Sequence, residues 1–151
     1  MTPEHRQLVQ DSWALAAPAA DDLARHFYAH LFEIDPSAAR LFAGTDMAAQ
    51  RMKFTDMLAA IVRAIDEPVE LVPGAASLAR RHTGYGVEDR HYDSVGEALV
   101  WALAQTLGGA FTPEVRTAWV EAYALLASLM RRAAARVSGT HAVVAPPSTG
   151  A

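Results

Sequence analysis

The residues best placed to do chemistry lie in the stretch Leu78-Ala79-Arg80-Arg81-His82-Thr83-Gly84-Tyr85-Gly86. His82 falls in the last turn of an amphipathic helix, and glycines on either side of Tyr85 break that helix at once. A helix fixes the imidazole while the loop behind it clears room at its side. Neutral imidazole is the commonest metal ligand among side chains, and haem iron is one of the metals it takes from such a position. His82 is therefore the candidate metal ligand of this chain.

Other polar residues read less sharply. With Tyr28 set at 0° on its helix, Leu31 and Phe32 share its side, while His26 and His30 lie about 160° away at roughly 100° per residue. If Tyr28 points inward, both histidines face water. Their i, i+4 spacing is that of a zinc pair, but no Glu follows the first His as in the metalloprotease motif, so a solvated face is the expectation. Tyr28 on these grounds alone is a core tyrosine with its hydroxyl paired. Gln50 and Phe54 stand one turn apart on a long helix. By periodicity Gln50 is a surface residue bordering the apolar stripe, and Lys53 a solvated charge beside it. His91 sits in Asp89-Arg90-His91-Tyr92-Asp93, a polar helix start whose acids suit the dipole, and reads as surface.

These residues need helices to hold them. Thr2-Pro3-Glu4 is a helix start, with a capping hydroxyl, proline at the first helical position and an acid in the first turn. That helix carries Leu8, Val9, Trp13 and Leu15 and ends near Pro18; a second runs from about Ala19 to Ile34. Pro36 opens a short helix through Leu41 and Phe42. Asp46 caps a long one to Ile65, on which Met47, Phe54, Met57, Leu58, Ile61, Val62 and Ile65 recur at helical period. After Pro68 we expect a short helix, an interruption at Pro73-Gly74, then the helix ending at His82. Glu88 to Leu107 is helical, and Gly108-Gly109 ends it. Thr112-Pro113-Glu114 starts the last helix, which carries Trp119, Ala122, Tyr123, Leu126, Leu129 and Met130 on one side. From Val137 the composition turns to Ser-Gly-Thr and Pro146-Pro147, read as a flexible tail over 138–151 after one domain over 1–137. No segment alternates like a strand and no phosphate loop is present. The fold class is all-α, one layer of helices on another.

Composition narrows the function. At 151 residues the chain is one domain with a real core. A hydrophobic fraction of 52% with 20% charged suits a helical protein with an extra apolar surface to line, such as a cofactor pocket. The net charge of −4 argues against nucleic acid, whose phosphates demand clustered cations. Arg131, Arg132 and Arg136 cluster near the end of the last helix, where cations complement the dipole. The absence of cysteine removes disulfides, thiolate zinc, iron–sulfur clusters and thiolate-ligated or covalently attached haem. No apolar run approaches the roughly 20 residues of a membrane span, and the start lacks a signal-peptide pattern, so a cytoplasmic location is expected.

Pro36, then Phe42, Gln50 and His82 in that order on an all-helical chain resembles the globin family. The likeness covers roughly residues 4 to 136 and is greatest to bacterial single-domain haemoglobins of the flavohaemoglobin lineage. The resemblance implies a globin fold, three helices over three around a haem b, with His82 as the proximal iron ligand. It implies that Phe42 stacks on the haem face and that Tyr28 and Gln50 hydrogen-bond a ligand on the far side. Phe54 matches the apolar residue overhanging that ligand, where leucine is more usual. Lys53 and Arg81 match partners of the haem propionates, and Tyr92 a tyrosine near the proximal histidine. Leu78, Val87, Val95, Leu99 and Leu126 are expected to line the apolar surround.

By that resemblance the chain binds oxygen, nitric oxide and carbon monoxide at a five-coordinate ferrous iron. Nitric oxide dioxygenase activity is the accompanying chemistry. Two departures bear on it: Ala134 stands where flavohaemoglobins place a glutamate that polarises the proximal histidine, and Phe54 narrows the distal side. Flavohaemoglobins also carry flavin and nicotinamide domains, so catalysis here calls for a separate reductase. A haem-based gas or redox sensor acting through a partner protein is the alternative, and a helical interaction module that has lost haem is disfavoured by His82 and Phe42 together. The oligomeric state is left open.

Overall fold

The computed structural model describes residues 1–84 and 88–144, apart from the side chains of 68–72, 77, 83, 84, 89 and 136–144. Among the described residues seven α-helices follow one another: α1 (Pro3–Ala16), α2 (Ala20–Ile34), α3 (Pro36–Leu41), α4 (Met47–Ala64), α5 (Pro68–Gly84), α6 (Asp89–Leu107) and α7 (Pro113–Val144). Short 3₁₀ turns at Ala17–Ala19 and Gly108–Ala110 link α1 to α2 and lead out of α6. No strand occurs among the described residues.

The helix starts follow local chemistry. Thr2 Oγ1 accepts from the His5 N–H at 3.1 Å, and the Asp46 carboxylate accepts from the N–H groups of Ala48 and Ala49. Thr112 Oγ1 accepts from the Val115 N–H at 3.2 Å. Each cap satisfies an N–H that the first helical turn leaves without a partner. Gly108 ends α6 at φ +55°, a conformation that costs glycine little.

Two sequence expectations about helix limits change. α5 runs unbroken through Pro73 and Gly74 instead of pausing there. Pro73 removes one backbone bond, but α5 is packed along α7, and packing of an apolar face supplies most helical stability in a protein. The second change is that α7 continues past Val137 to Val144. Residues 145–151, half of the expected tail, lie outside the described residues.

The layers form from long-range pairings. α2 lies along α6, α1 and α5 lie on α7, and α2 also meets α3 and α4. The main core gathers Val9, Leu23, Phe27, Leu31, Leu103 and Trp119. Each fully buried side chain of this size contributes about 1.5–3 kcal/mol relative to exposure. Trp119 brings its indole N–H inside and satisfies it on Ser12 Oγ at 2.8 Å, which ties α7 to α1. A second core of Ala75, Ala79, Tyr92, Ala127 and Met130 joins α5, α6 and α7. α4 and α5 touch each other little, and the space between them becomes the site.

Candidate ligand and cofactor site

An open cavity of about 370 Å³ separates α4 from α5. Met57, Ala60, Ile61 and Ala64 of α4 line one wall, Gly74, Ala75, Leu78 and Arg81 of α5 the other, with Leu126 of α7 at the back. The volume lies within the roughly 300–1,000 Å³ of small-molecule and cofactor pockets. Its lining is apolar except for the Arg81 guanidinium. A cavity of about 50 Å³, whose walls include Phe54, Val95, Leu99 and Tyr123, shares Met57, Ile61 and Leu126 with the first.

His82 stands in the last turn of α5, half-buried, and its Nδ1 is 2.8 Å from the Leu78 carbonyl. A carbonyl only accepts, so Nδ1 carries the proton and donates it. In the neutral ring the lone pair then belongs to Nε2. Burial lowers the His82 pKa below its usual value, and the neighbouring Arg81 charge acts in the same direction against the raising effect of the Leu78 bond. The helix thus holds one imidazole neutral, in one tautomer, with its orientation fixed through the ring nitrogen that would not ligate. That is the arrangement a metal-ligating histidine requires.

Tyr28 is buried in an aromatic cluster on α2. Phe42 meets its ring edge-on at 5.4 Å, Phe54 at 5.6 Å, and Phe32 lies tilted at 5.8 Å. Phe54 is itself stacked on Phe27 at 4.2 Å, so its ring is held in place rather than free to swing. Gln50, half-buried at the start of α4, donates from Nε2 to the Tyr28 hydroxyl at 3.1 Å. That bond uses the oxygen's accepting capacity and leaves the phenolic proton to donate elsewhere. Burial raises the Tyr28 pKa, only partly offset by the Gln50 bond, so the phenol keeps its proton.

The structure therefore joins Tyr28, Gln50, Phe42 and Phe54, and Gln50 is not the surface residue that periodicity suggests. Leu78 and Arg81 line the main cavity beside His82, Leu126 closes it, and Val95 and Leu99 line the smaller one. Lys53 is exposed on α4 and lines neither, and His82, Tyr28, Gln50, Phe42 and Tyr92 also stand outside both linings. Val87 lies outside the described residues, as do Tyr85 and Gly86.

Tyr92 is buried against α5 and α7, and Tyr123 donates its hydroxyl to the Tyr92 carbonyl at 2.5 Å. Burial strongly raises the Tyr123 pKa. The Arg131 guanidinium lies 5.2 Å above the Tyr92 ring and also pairs with Asp93 at 3.3 Å. Ala134, the position flagged for its missing acid, is half-buried on the same helix.

Two histidine expectations are corrected. His91 is buried, not surface, because both ring nitrogens are satisfied. Its Nδ1 accepts from the Glu88 N–H at 2.8 Å, so Nε2 bears the proton and faces Ser37 Oγ at 3.0 Å. Ser37 in turn hydrogen-bonds Asp35, whose other oxygen accepts from Ser94 at 2.8 Å. Those two hydroxyls hold the Asp35 carboxyl below its usual pKa. The signal was present as Glu88 three residues before His91, a capping-box spacing with histidine in the second place. His26 and His30 are half-buried rather than solvated, because both rings pack on Trp101 of α6. Also missing from the sequence-derived site were Met57, Ala60, Gly74 and Ala75 as cavity walls.

Fold and site together define a helical protein with one prepared imidazole at the end of α5, a tyrosine–glutamine pair joining α2 to α4, and an apolar crevice between α4 and α5. Comparison with known proteins gives the class a name. The Globin family profile matches residues 25–130, and the chain belongs to the globin family. It is 31% identical over 125 residues to a flavohemoprotein of Rhodopirellula baltica and 33% identical over 132 residues to one of Bordetella parapertussis. Those matches take in 82% and 86% of this chain but 31% and 33% of the relatives, so the chain spans about a third of their length. Among solved structures, an engineered carbene transferase from Rhodothermus marinus, named for nitric oxide dioxygenase activity, superposes with a TM-score of 0.84 at 30% identity. That match covers 94% of this chain and 99% of the other. A bacterial globin of Campylobacter jejuni gives 0.82 at 21% identity over 91% of this chain and 99% of its own, which supports the fold. The all-α globin fold expected from sequence is the fold of this chain. No helix among the described residues is long and apolar enough to cross a membrane.

Proposed function

We propose that this chain binds haem b in the crevice between α4 and α5, that His82 would ligate its iron, and that the loaded protein takes oxygen, nitric oxide or carbon monoxide. The observation that carries the reading is the His82 tautomer: Nδ1–H is committed to Leu78, and burial favours the neutral ring whose Nε2 can ligate. The residues present fit the group. The cavity walls are apolar, and Arg81 supplies a cation beside them for an acidic substituent of the macrocycle. Haem, when bound, supplies an iron on which diatomic gases bind and oxygen and nitric oxide can be converted to nitrate.

The protein's own contribution is binding, orientation and a hydrogen bond. Tyr28, held by Gln50 and wedged among Phe42, Phe54 and Phe32, offers its proton to a polar diatomic ligand. Glutamine in place of a second histidine leaves that side open to gas. Nitric oxide dioxygenation is the activity this arrangement supports, and the name carried by the Rhodothermus protein points the same way. A reductase acting as a separate partner would return the electron each turnover consumes. Ala134 stands where an acid on α7 would be needed to polarise the proximal histidine, so turnover is expected to be slower than where an acid is present.

Absorption spectra of the haem-loaded protein test the reading, taken ferric, reduced and under carbon monoxide beside His82→Gly. A five-coordinate ferrous spectrum that shifts with carbon monoxide, is lost in the variant and returns with added imidazole supports it. No haem uptake by the wild-type chain would overturn it. Mixing the oxygenated protein with nitric oxide should yield stoichiometric nitrate; oxygenated protein that survives unchanged refutes the dioxygenase assignment alone.

A further inference from the structure

Where α2 packs on α6, three rings that line neither cavity form a cluster that the gas-binding reading does not use. His30 stacks flat on Trp101, with centroids 4.3 Å apart and planes 6° from parallel. His26, one turn earlier on α2, meets the same indole edge-on at 5.8 Å and 72°. Both histidines are half-buried.

What separates them from the other described histidines is that their ring nitrogens are uncommitted. His5 Nδ1 pairs with Glu121 at 2.6 Å, His82 donates to Leu78, and His91 uses both nitrogens. No hydrogen bond or ion pair engages the nitrogens of His26 or His30 within the described protein. Residues i and i+4 of a helix are neighbours on one face, about 5–6 Å apart at Cβ. Two histidines at that spacing are a recognised way for a helix to grip zinc. Both rings rest on the same indole, which keeps them on one side of α2.

We propose that His26 and His30 form a two-imidazole binding site for a divalent transition-metal ion. Imidazole suits copper, nickel and zinc, and the usual order of affinities makes Cu2+ the tightest binder among them. No group of three or more His, Cys, Asp or Glu side chains stands together among the described residues. The site therefore gives two protein ligands and leaves the remaining coordination positions to water or to a second molecule. That is the pattern of an exchangeable site, in contrast to a closed structural zinc centre with four protein ligands.

The test is Cu2+ binding to the haem-loaded protein, in which His82 is already committed, by equilibrium dialysis and electron paramagnetic resonance. One equivalent should bind, with nitrogen hyperfine structure from two imidazoles. His26→Ala and His30→Ala should each weaken binding by at least about tenfold, since even a change in a ligand's own hydrogen-bond partner costs about 10–100-fold. The double variant should be little weaker than either single, because a chelate is lost with its first arm. His5→Ala and His141→Ala should bind as the wild type does. Wild-type affinity in His26→Ala or His30→Ala, a spectrum with a single nitrogen, or loss of the site in His141→Ala would overturn the proposal. The haem absorption spectrum should not change in any of these variants, so the outcome is read separately from that of the crevice. Circular dichroism confirms that each variant retains its helices.

Discussion

Gly96 sets how closely α6 approaches α7, and its replacement by alanine tests how rigid that contact is. A Cβ built at Gly96 would fall 2.7 Å from Cε2 and 2.9 Å from Cδ2 of Tyr123, closer than real carbons pack. The ring cannot simply turn aside, because its hydroxyl is held on the Tyr92 carbonyl at 2.5 Å and the side chain is buried. Overpacking of this kind costs about 1–3 kcal/mol, and losing the hydroxyl's bond would add about 0.5–1.5 kcal/mol. Alanine returns up to about 1 kcal/mol in mid-helix propensity. The net expectation for Gly96→Ala is a loss of about 1–3 kcal/mol, or roughly 3–10 °C in Tm for a chain of this size. The assay is calorimetric or circular-dichroism melting with haem held at one saturating concentration throughout, since bound ligand raises apparent stability by mass action. In a Tyr123→Leu background the ring is gone, so adding Gly96→Ala should be neutral or stabilising. A wild-type Tm that rises on Gly96→Ala, or an equal loss in both backgrounds, would refute the assignment of Gly96 to this close approach.

Three further outcomes follow from single contacts. Tyr28→Phe should raise the oxygen dissociation rate by roughly 10–100-fold in stopped-flow displacement by carbon monoxide, the equivalent of one charge-assisted hydrogen bond of about 1.5–3 kcal/mol. Ser12→Ala orphans the buried indole N–H of Trp119 and should cost about 1–3 kcal/mol in urea unfolding. Asp35 has a folded pKa below its unfolded value near 3.8, so its contribution is fully present above that value and is lost as pH falls through the folded pKa. The difference in urea midpoint between wild type and Asp35→Asn should therefore shrink from pH 5 to pH 2.5; a constant difference would place the effect in packing instead.

What the sequence could reveal was local. Caps at Thr2, Asp46 and Thr112, apolar residues at spacings of three and four, and the Gly108 stop are all chemistry within one helical turn, and the helices begin and end near them. Pro73 misled because its cost is local while the gain that overrides it, the seating of α5 on α7, is not. The same division runs through the site. His82 was legible because the residues that fix it, Leu78 and the end of its own helix, are sequence neighbours. Gln50 was not, since the Tyr28 hydroxyl that draws it inward is 22 residues away, and periodicity sees only its own helix. His91 shows both at once: the Glu88 bond lies within one turn, whereas Ser37, which makes burial affordable, is 54 residues distant. His26 and His30 were placed correctly opposite Tyr28, but the far face of α2 is not water, because α6 brings Trp101 against it. A helix clamped between two layers has two buried faces, and the moment of its own sequence reports only the more apolar one. The residues most easily misread as surface are thus the polar ones on the second face, and in this chain they are two histidines with free nitrogens.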